Sequence, residues 1–290
     1  MPNRYTMTDD EKYYFDLRGY LIVRGALSDR EVSLGNEAID RHASGMRERP
    51  PGLGGTSSVL STPTGRLELS GMLGWPEPDR TLFRRLLIHP VVVSRLNELC
   101  GPGFRLDHGP GLIGGNKGAE GFTLHGGGEP FSHANWYRVQ NGRIRCRGIT
   151  VAWQFTDCGP GDGGFAVVPG SHKSEFEAPV DLRSVENPED LVVQPVMKAG
   201  DVLFFAETAT HGTLPWKAEH QRRSVLYKYA SRGAARAVGR RYTPESRYGD
   251  WVKDLTPEQH SLLYGPGYHS GASHRANLGS DGKKVWLVDG

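Results

Sequence analysis

The chain has 290 residues, of which 39 are glycine and 19 proline, a fifth of the whole, and so high a content of turn formers excludes a long-helix or coiled-coil protein. With 37% hydrophobic and 9% aromatic residues it can bury a substantial core and is not a disordered chain. The 35 Lys and Arg nearly cancel the 33 Asp and Glu, which argues against a protein that grips a nucleic acid polymer over a wide face. The charged first thirty residues, and the lack of any apolar run near the ~20 residues of a membrane span, point to a soluble protein without an export signal. Cys100, Cys146 and Cys158 are odd in number, widely spaced and without a CxxC pair; the expectation is reduced thiols in a cytoplasmic protein, not a disulfide framework or a zinc-thiolate site.

In chain order, residues 9–16 read as a short charged helix and residues 19–25, an apolar run bracketed by glycines, as a buried strand. Ser28 with Glu31 three residues on forms a capping box that opens a helix toward His42. Residues 49–64 are rich in Pro, Gly and Ser and have no periodicity, which predicts a loop mobile enough to serve as a lid. Helical spacing returns over residues 80–100, interrupted before Pro90 and closed by Gly101 and Pro102. Beyond Phe104 come short β-rich runs at residues 122–125, 144–155, 164–168, 201–206 and 224–229, separated by Gly and Pro turns, the texture of a sandwich or barrel. An arginine-rich linker follows Arg232, then a helix start at Thr256-Pro-Glu258 and a glycine-rich tail. The expected organisation is one domain over residues 1–290: an N-terminal helical support with a lid loop (1–103), a β core (104–232) and a C-terminal extension (233–290).

Two of the eleven histidines stand in distinctive settings. His125 ends an apolar strand in Thr123-Leu-His-Gly-Gly-Gly128. His211 follows a second strand in Thr208-Ala-Thr-His-Gly-Thr213, and Arg222 opens a third strand eleven residues later. Between the histidines lie Trp153-Gln-Phe-Thr-Asp157 and Gly161-Asp-Gly-Gly-Phe-Ala-Val-Val-Pro-Gly-Ser-His-Lys173. On this ordered set the chain, over roughly residues 10–232, resembles the phytanoyl-CoA hydroxylase-like family of iron(II) and 2-oxoglutarate dependent oxygenases. The resemblance implies a mainly β fold with α, a double-stranded β-helix or jelly roll wrapped by N-terminal helices. It also implies His125 and His211 as iron ligands, and Arg222 as partner of the distal 2-oxoglutarate carboxylate, with a further bond from Thr213 and with Trp153 as a wall of the cosubstrate pocket. The chemistry agrees: neutral imidazole suits iron(II), and a planar guanidinium grips a carboxylate with two parallel bonds. Arg222 and Arg223 are adjacent, strand alternation lets only one face the pocket, and the spacing favours Arg222. His172 reads as a structural brace of its turn, and Lys173 as solvated.

One part of the pattern is missing. Residues i and i+2 of a strand share a face, so a carboxylate two residues after the first histidine completes the usual iron triad; no histidine in this chain has Asp or Glu at that position, and His125 has Gly127. This resembles the His-x-Gly halogenase members of the family, in which chloride takes the vacated position. Deleting an anionic ligand frees both a site and a unit of charge, and an anion restores both. A hydroxylase with a carboxylate from elsewhere, Glu129, or with the amide of Asn135 in a His133-Ala-Asn135 motif, is the second reading. A binding module that has lost the chemistry is the third, against which the retention of His211, Thr213 and Arg222 speaks.

For the substrate, Arg143, Arg145 and Arg147 alternate with Ile144 and Cys146 and share one strand face, by default the solvent face of an edge strand. The functional alternative is a small anionic metabolite, a nucleotide among the candidates, with Lys117 and Arg138 as further cations. Trp136 and Tyr137, in a polar glycine-flanked stretch, are placed to stack on it, whereas core filling is the default for aromatics in β-rich runs.

Overall fold

The structure, a computed structural model, describes residues 6–126, 136–234, 242–266, 277–281 and 283–288. Gly127, Glu129, His133 and Asn135 lie outside the described residues. The elements in chain order are α1 (Asp9–Arg18), β1 (Tyr20–Val23), α2 (Asp29–Arg41), β2 (Arg47–Glu48), β3 (Leu67–Ser70), α3 (Asp79–Leu87), α4 (Pro90–Leu99), β4 (Arg105–Gly115), β5 (Phe122–His125), β6 (Tyr137–Gln140), β7 (Arg143–Cys146), β8 (Gly148–Gln154), β9 (Gly164–Val167), α5 (Val180–Arg183), β10 (Val202–Ala206), β11 (His211–Leu214), β12 (Arg222–Ala230), α6 (Pro244–Tyr248), α7 (Pro257–Ser261), β13 (Asn277–Ser280) and β14 (Val285–Val288). A seven-stranded antiparallel sheet in the order β1-β10-β8-β12-β4-β3-β2 faces a three-stranded one, β5-β11-β9. This is a jelly roll, mainly β with helices on its outer face. No helix among the described residues is long and apolar enough to cross a membrane.

Alternation along the large sheet assigns its two faces. Val151, Trp153, Val225, Tyr227 and Tyr229 point outward into a core shared with Leu82, Phe83, Leu86 and Leu87 of α3 and Val91 to Leu99 of α4; the buried hydroxyls of Tyr227 and Tyr229 donate to the carbonyls of Phe83 and Leu87, both at 2.7 Å. Ala152, Leu203 and Phe205 point inward and meet Phe165 and Val167 of the small sheet. The capping box at Ser28 is formed, and α2 packs so closely on the end of β8 that a Cβ at Gly35 would fall inside the ring of Phe155.

Two expectations change, and one strand, β4, had none. The run 144–155 is broken at Arg147 into β7 and β8, which join different sheets. The longest strand, β4, pairs centrally with β12 and β3 although its sequence carries Gly109, Pro110, Gly111, Gly114 and Gly115; a Cβ at Gly114 would sit 2.9 Å from the Arg222 carbonyl, so close approach, not a turn, explains a glycine there. The loop over residues 49–64 is pinned in place. Glu120 accepts the backbone N–H groups of Gly52 and Gly54, Thr123 N–H donates to the Leu53 carbonyl, and Ser57 Oγ donates to the Ser184 carbonyl.

Candidate active site

β5 and β11 pair antiparallel with His125 directly opposite His211, and a register shift follows between His211 and Thr213, where Phe122 is the next partner. A bulge of this kind re-aims side chains next to a site. The two imidazoles stand 4.5 Å apart between centroids. Nδ1 of His211 lies 2.7 Å from the Ala209 carbonyl and Nδ1 of His125 lies 3.1 Å from the Thr123 carbonyl. A carbonyl only accepts, so each Nδ1 carries the proton and, in the neutral ring, Nε2 bears the lone pair. That is the second contact by which metal-binding imidazoles are oriented and tautomer-fixed. Phe205, at 4.7 Å, and Phe165 enclose His211, and burial pushes its pKa down to about 4, with Glu207 opposing the shift. The imidazole is therefore neutral, as a ligand must be. Among the described residues no cluster of three or more His, Cys, Asp or Glu side chains is arranged to hold a metal.

Behind the pair lies a narrow cavity lined by Arg66, Phe122, Thr213, Trp216 and Arg222. Arg222 enters it from β12, packed near Cys158 and over Gly164, whose Cβ would stand 3.4 Å from Nε. Its guanidinium makes no hydrogen bond or ion pair with the described residues, and burial lowers its pKa to about 10, so it remains charged. Glu120, the acid of this cavity, is engaged by the loop amides of Gly52 and Gly54. A half-buried cation without an ion-pair partner among the described residues, beside the side chain of Thr213, is suited by its chemistry to hold a carboxylate. Arg223 points the other way, to Asp40 at 2.5 Å and Asn36 on α2, as strand alternation requires.

A larger cavity of about 680 Å³ opens on the inner face of β3, β4 and β12, lined by Arg66, Glu68, His108, Leu226 and Lys228, with His42, Arg47 and Trp75. Arg66 lines both cavities; its guanidinium lies 5.6 Å from the Phe122 ring, which lies 4.5 Å from His125. Lys228 donates twice to Glu207 at 3.1 Å, and Thr150 donates to the same carboxylate. Sequence reading missed Arg66, Lys228 and Glu207. Lys228 was within reach of it, since residues 222, 224, 226 and 228 share one face of β12; Arg66 and Glu207 leave no local signal.

Other assignments need correction. Trp153 does not wall the cosubstrate pocket: it is fully buried on the outward face of β8, edge-on to His89 at 5.2 Å, because inward positions of that strand have the opposite parity. Lys117 pairs with Glu219 at the surface and lines neither cavity. Trp136, Tyr137 and Arg138 come together, but around a separate cavity with His172 and Lys173. Lys173 is not simply solvated, since it pairs with Asp16 at 2.8 Å. Of the arginine stripe, Arg143 is exposed and Arg145 packs against Gly101.

The jelly roll thus presents two facing, tautomer-fixed histidines and a half-buried arginine without an ion-pair partner among the described residues. The sequence model of phytanoyl-CoA dioxygenase (PhyH) matches residues 120–224, the segment that contains His125, His211, Thr213 and Arg222. Among solved structures, the chain is similar to HygX from Streptomyces hygroscopicus with nickel, 2-oxoglutarate and hygromycin B bound (TM-score 0.63, 20% identity, over 77% of this chain and 87% of that one). It is also similar to AviO1 from Streptomyces viridochromogenes Tue57 (0.58, 17%, 80% and 99%). A third is SnoK, the non-heme alpha ketoglutarate dependent carbocyclase from nogalamycin biosynthesis (0.57, 16%, 80% and 87%). No curated protein sequence matches the chain.

Proposed function

We propose that the protein is an iron(II) and 2-oxoglutarate dependent halogenase that chlorinates an unactivated C–H bond of a small anionic metabolite, a nucleotide among the candidates. The observation that carries the reading is the pair His125 and His211, in register on adjacent strands with each Nδ1 tied to a carbonyl, with no group of three or more His, Cys, Asp or Glu side chains among the described residues that would complete a metal site by itself. The residues fit the group: two neutral imidazoles would hold iron, and Gly127, without a side chain, would leave a coordination position to chloride. When bound, iron(II) would use dioxygen as the oxidant and 2-oxoglutarate as the co-reductant, which loses CO2 and becomes succinate, to break the C–H bond, chloride would supply the atom placed on carbon, and the hydrogen would leave in water.

The chain's own residues do the rest. Arg222 and Thr213 bind the distal carboxylate of 2-oxoglutarate in the narrow cavity. Phe165 and Phe205 keep water from the His211 ring. Arg66 and Lys228 face the larger cavity already paired with Glu68 and Glu207, and Arg47, which has no partner among the described residues, adds the net positive charge that favours an anionic substrate. HygX is described with a small molecule, hygromycin B, and with 2-oxoglutarate, and another of its structures has iron bound; this supports the cofactor pair here.

The test is anaerobic absorption spectroscopy. Iron(II) plus 2-oxoglutarate should give a charge-transfer band that shifts when chloride is exchanged for bromide. A band insensitive to halide favours the hydroxylase, with Glu129 or Asn135 as the third ligand, and no band at all leaves a binding module.

A further inference from the structure

We propose that the larger cavity takes an organic phosphate monoester, with its dianionic head at Arg47 and an apolar body in a recess over Gly111. The inference rests on the reading above, since it takes that cavity as the substrate's. Strand register puts the two parts side by side. On the inner face of the large sheet Arg47 of β2 stands opposite Glu68 of β3, and Glu68 opposite Ile113 of β4; the next row of the same face is Ser70, Gly111 and Leu226. All six line the cavity. Glu68 does not serve Arg47: its carboxylate accepts from Arg66 Nε at 2.7 Å and is approached by Arg49 at 3.6 Å. Arg47 makes no hydrogen bond or ion pair among the described residues, although the register would allow one. Glu48, the other acid of β2, has the opposite strand parity and accepts from Gly65 N–H at 3.0 Å.

The charges indicate the head group. His42 and His108, also on the wall, lean on Asp79 and Asp107, acids that Arg41 and Arg105 already match. Arg47, Arg49, Arg66 and Lys228 are then four cations against the two carboxylates of Glu68 and Glu207, a surplus that one doubly charged group cancels. A phosphate monoester carries nearly two charges above its second pKa of about 6, and its three acceptor oxygens suit guanidinium forks. The floor indicates the rest of the molecule. A Cβ at Gly111 would meet nothing nearer than the Leu69 carbonyl at 3.9 Å, so the sheet is bare there. Ile113 and Leu226, both partly exposed, present aliphatic surface beside it. An apolar body covers that surface, whereas a free anion leaves it wet.

Calorimetric titration of the full chain at about pH 8, well above that second pKa, and without iron or 2-oxoglutarate, compares three probes. Phenyl phosphate is set against phenyl sulfate, which has the same body and one charge fewer, and against inorganic phosphate, which lacks the body. Phenyl phosphate should bind about tenfold more tightly than either. Arg47→Gln should bring it to the level of phenyl sulfate, and Gly111→Val, which fills the recess, to the level of inorganic phosphate. Equal binding of either comparison probe, an unchanged affinity in either variant, or no saturable binding overturns the proposal. Neither iron nor halide enters this titration, so its outcome is separate from the halide response of the charge-transfer band. A halide-sensitive band without phenyl phosphate binding rejects the phosphate ester alone, and binding without such a band keeps the ligand site and rejects the halogenase alone.

Discussion

At the scale of single residues, the site is defined by what its polar atoms lack. Arg222 is a half-buried guanidinium without an ion-pair partner among the described residues, and it faces a cavity it shares with Thr213; replacing it with Leu would relieve the unpaired charge but remove the carboxylate grip. Arg222→Leu should leave the melting temperature unchanged or higher, while the apparent dissociation constant of 2-oxoglutarate rises about 100-fold; scanning calorimetry checks the first half and calorimetric titration the second, and unchanged affinity would contradict the role. His211→Ala should abolish iron binding at the site, measured by metal content after dialysis. Gly127→Asp should restore an acidic third ligand and end the response of the charge-transfer band to halide. His125, His211, Thr213 and Arg222 stand out in the sequence because their spacing along successive strands survives as a pattern, and in the fold the first two face each other and the last two line one cavity. It misplaced Trp153 because one residue of strand parity separates the outer face from the inner, and in a strand buried on both sides hydrophobicity does not distinguish them.

At the scale of elements, the helices act as a brace for the large sheet, and two contacts set how tightly. Gly35 of α2 lies against the Phe155 ring, so Gly35→Ala should cost about 1–3 kcal/mol by overpacking, read by denaturant unfolding. Asp79, buried at the start of α3, accepts from Arg41 at 2.9 and 2.6 Å and from His42 at 2.9 Å, and the bond from Arg41, reinforced by that from His42, prevails over burial and holds its pKa below the usual carboxylate value. A depressed acid pKa contributes stability that is fully present above the ordinary value of about 3.9 and is lost as pH falls through the depressed one. Thermal unfolding should therefore show a steeper acid loss below about pH 4 for the native chain than for Asp79→Asn. The capping boxes and helix stops were readable from local chemistry. β4 was not, since its glycines serve neighbours that become adjacent only in the folded sheet.

For the whole molecule, the jelly roll explains why residues so far apart in sequence converge. β5, β11 and β12 bring His125, His211 and Arg222 to one end of the sandwich, and the loop over residues 49–64, anchored through Glu120, is part of the wall and not a free lid. Glu120→Gln should loosen that loop, seen as faster hydrogen exchange at Gly52 and Gly54, without unfolding the sheets. The overall architecture followed from the strand spacing and the ordered motif. The cavities did not, because each is built from strand faces and loops that no local pattern links.

The central claim is that two histidines and a halide hold the iron. Crystals grown without oxygen in iron(II), 2-oxoglutarate and bromide, measured at the iron and bromine absorption edges, test it directly. The account predicts an iron peak at the Nε2 atoms of His125 and His211 with a bromine peak bonded to it beside Gly127. Iron completed by the carboxylate of Glu129 or the amide of Asn135, with no bromine peak, would contradict it.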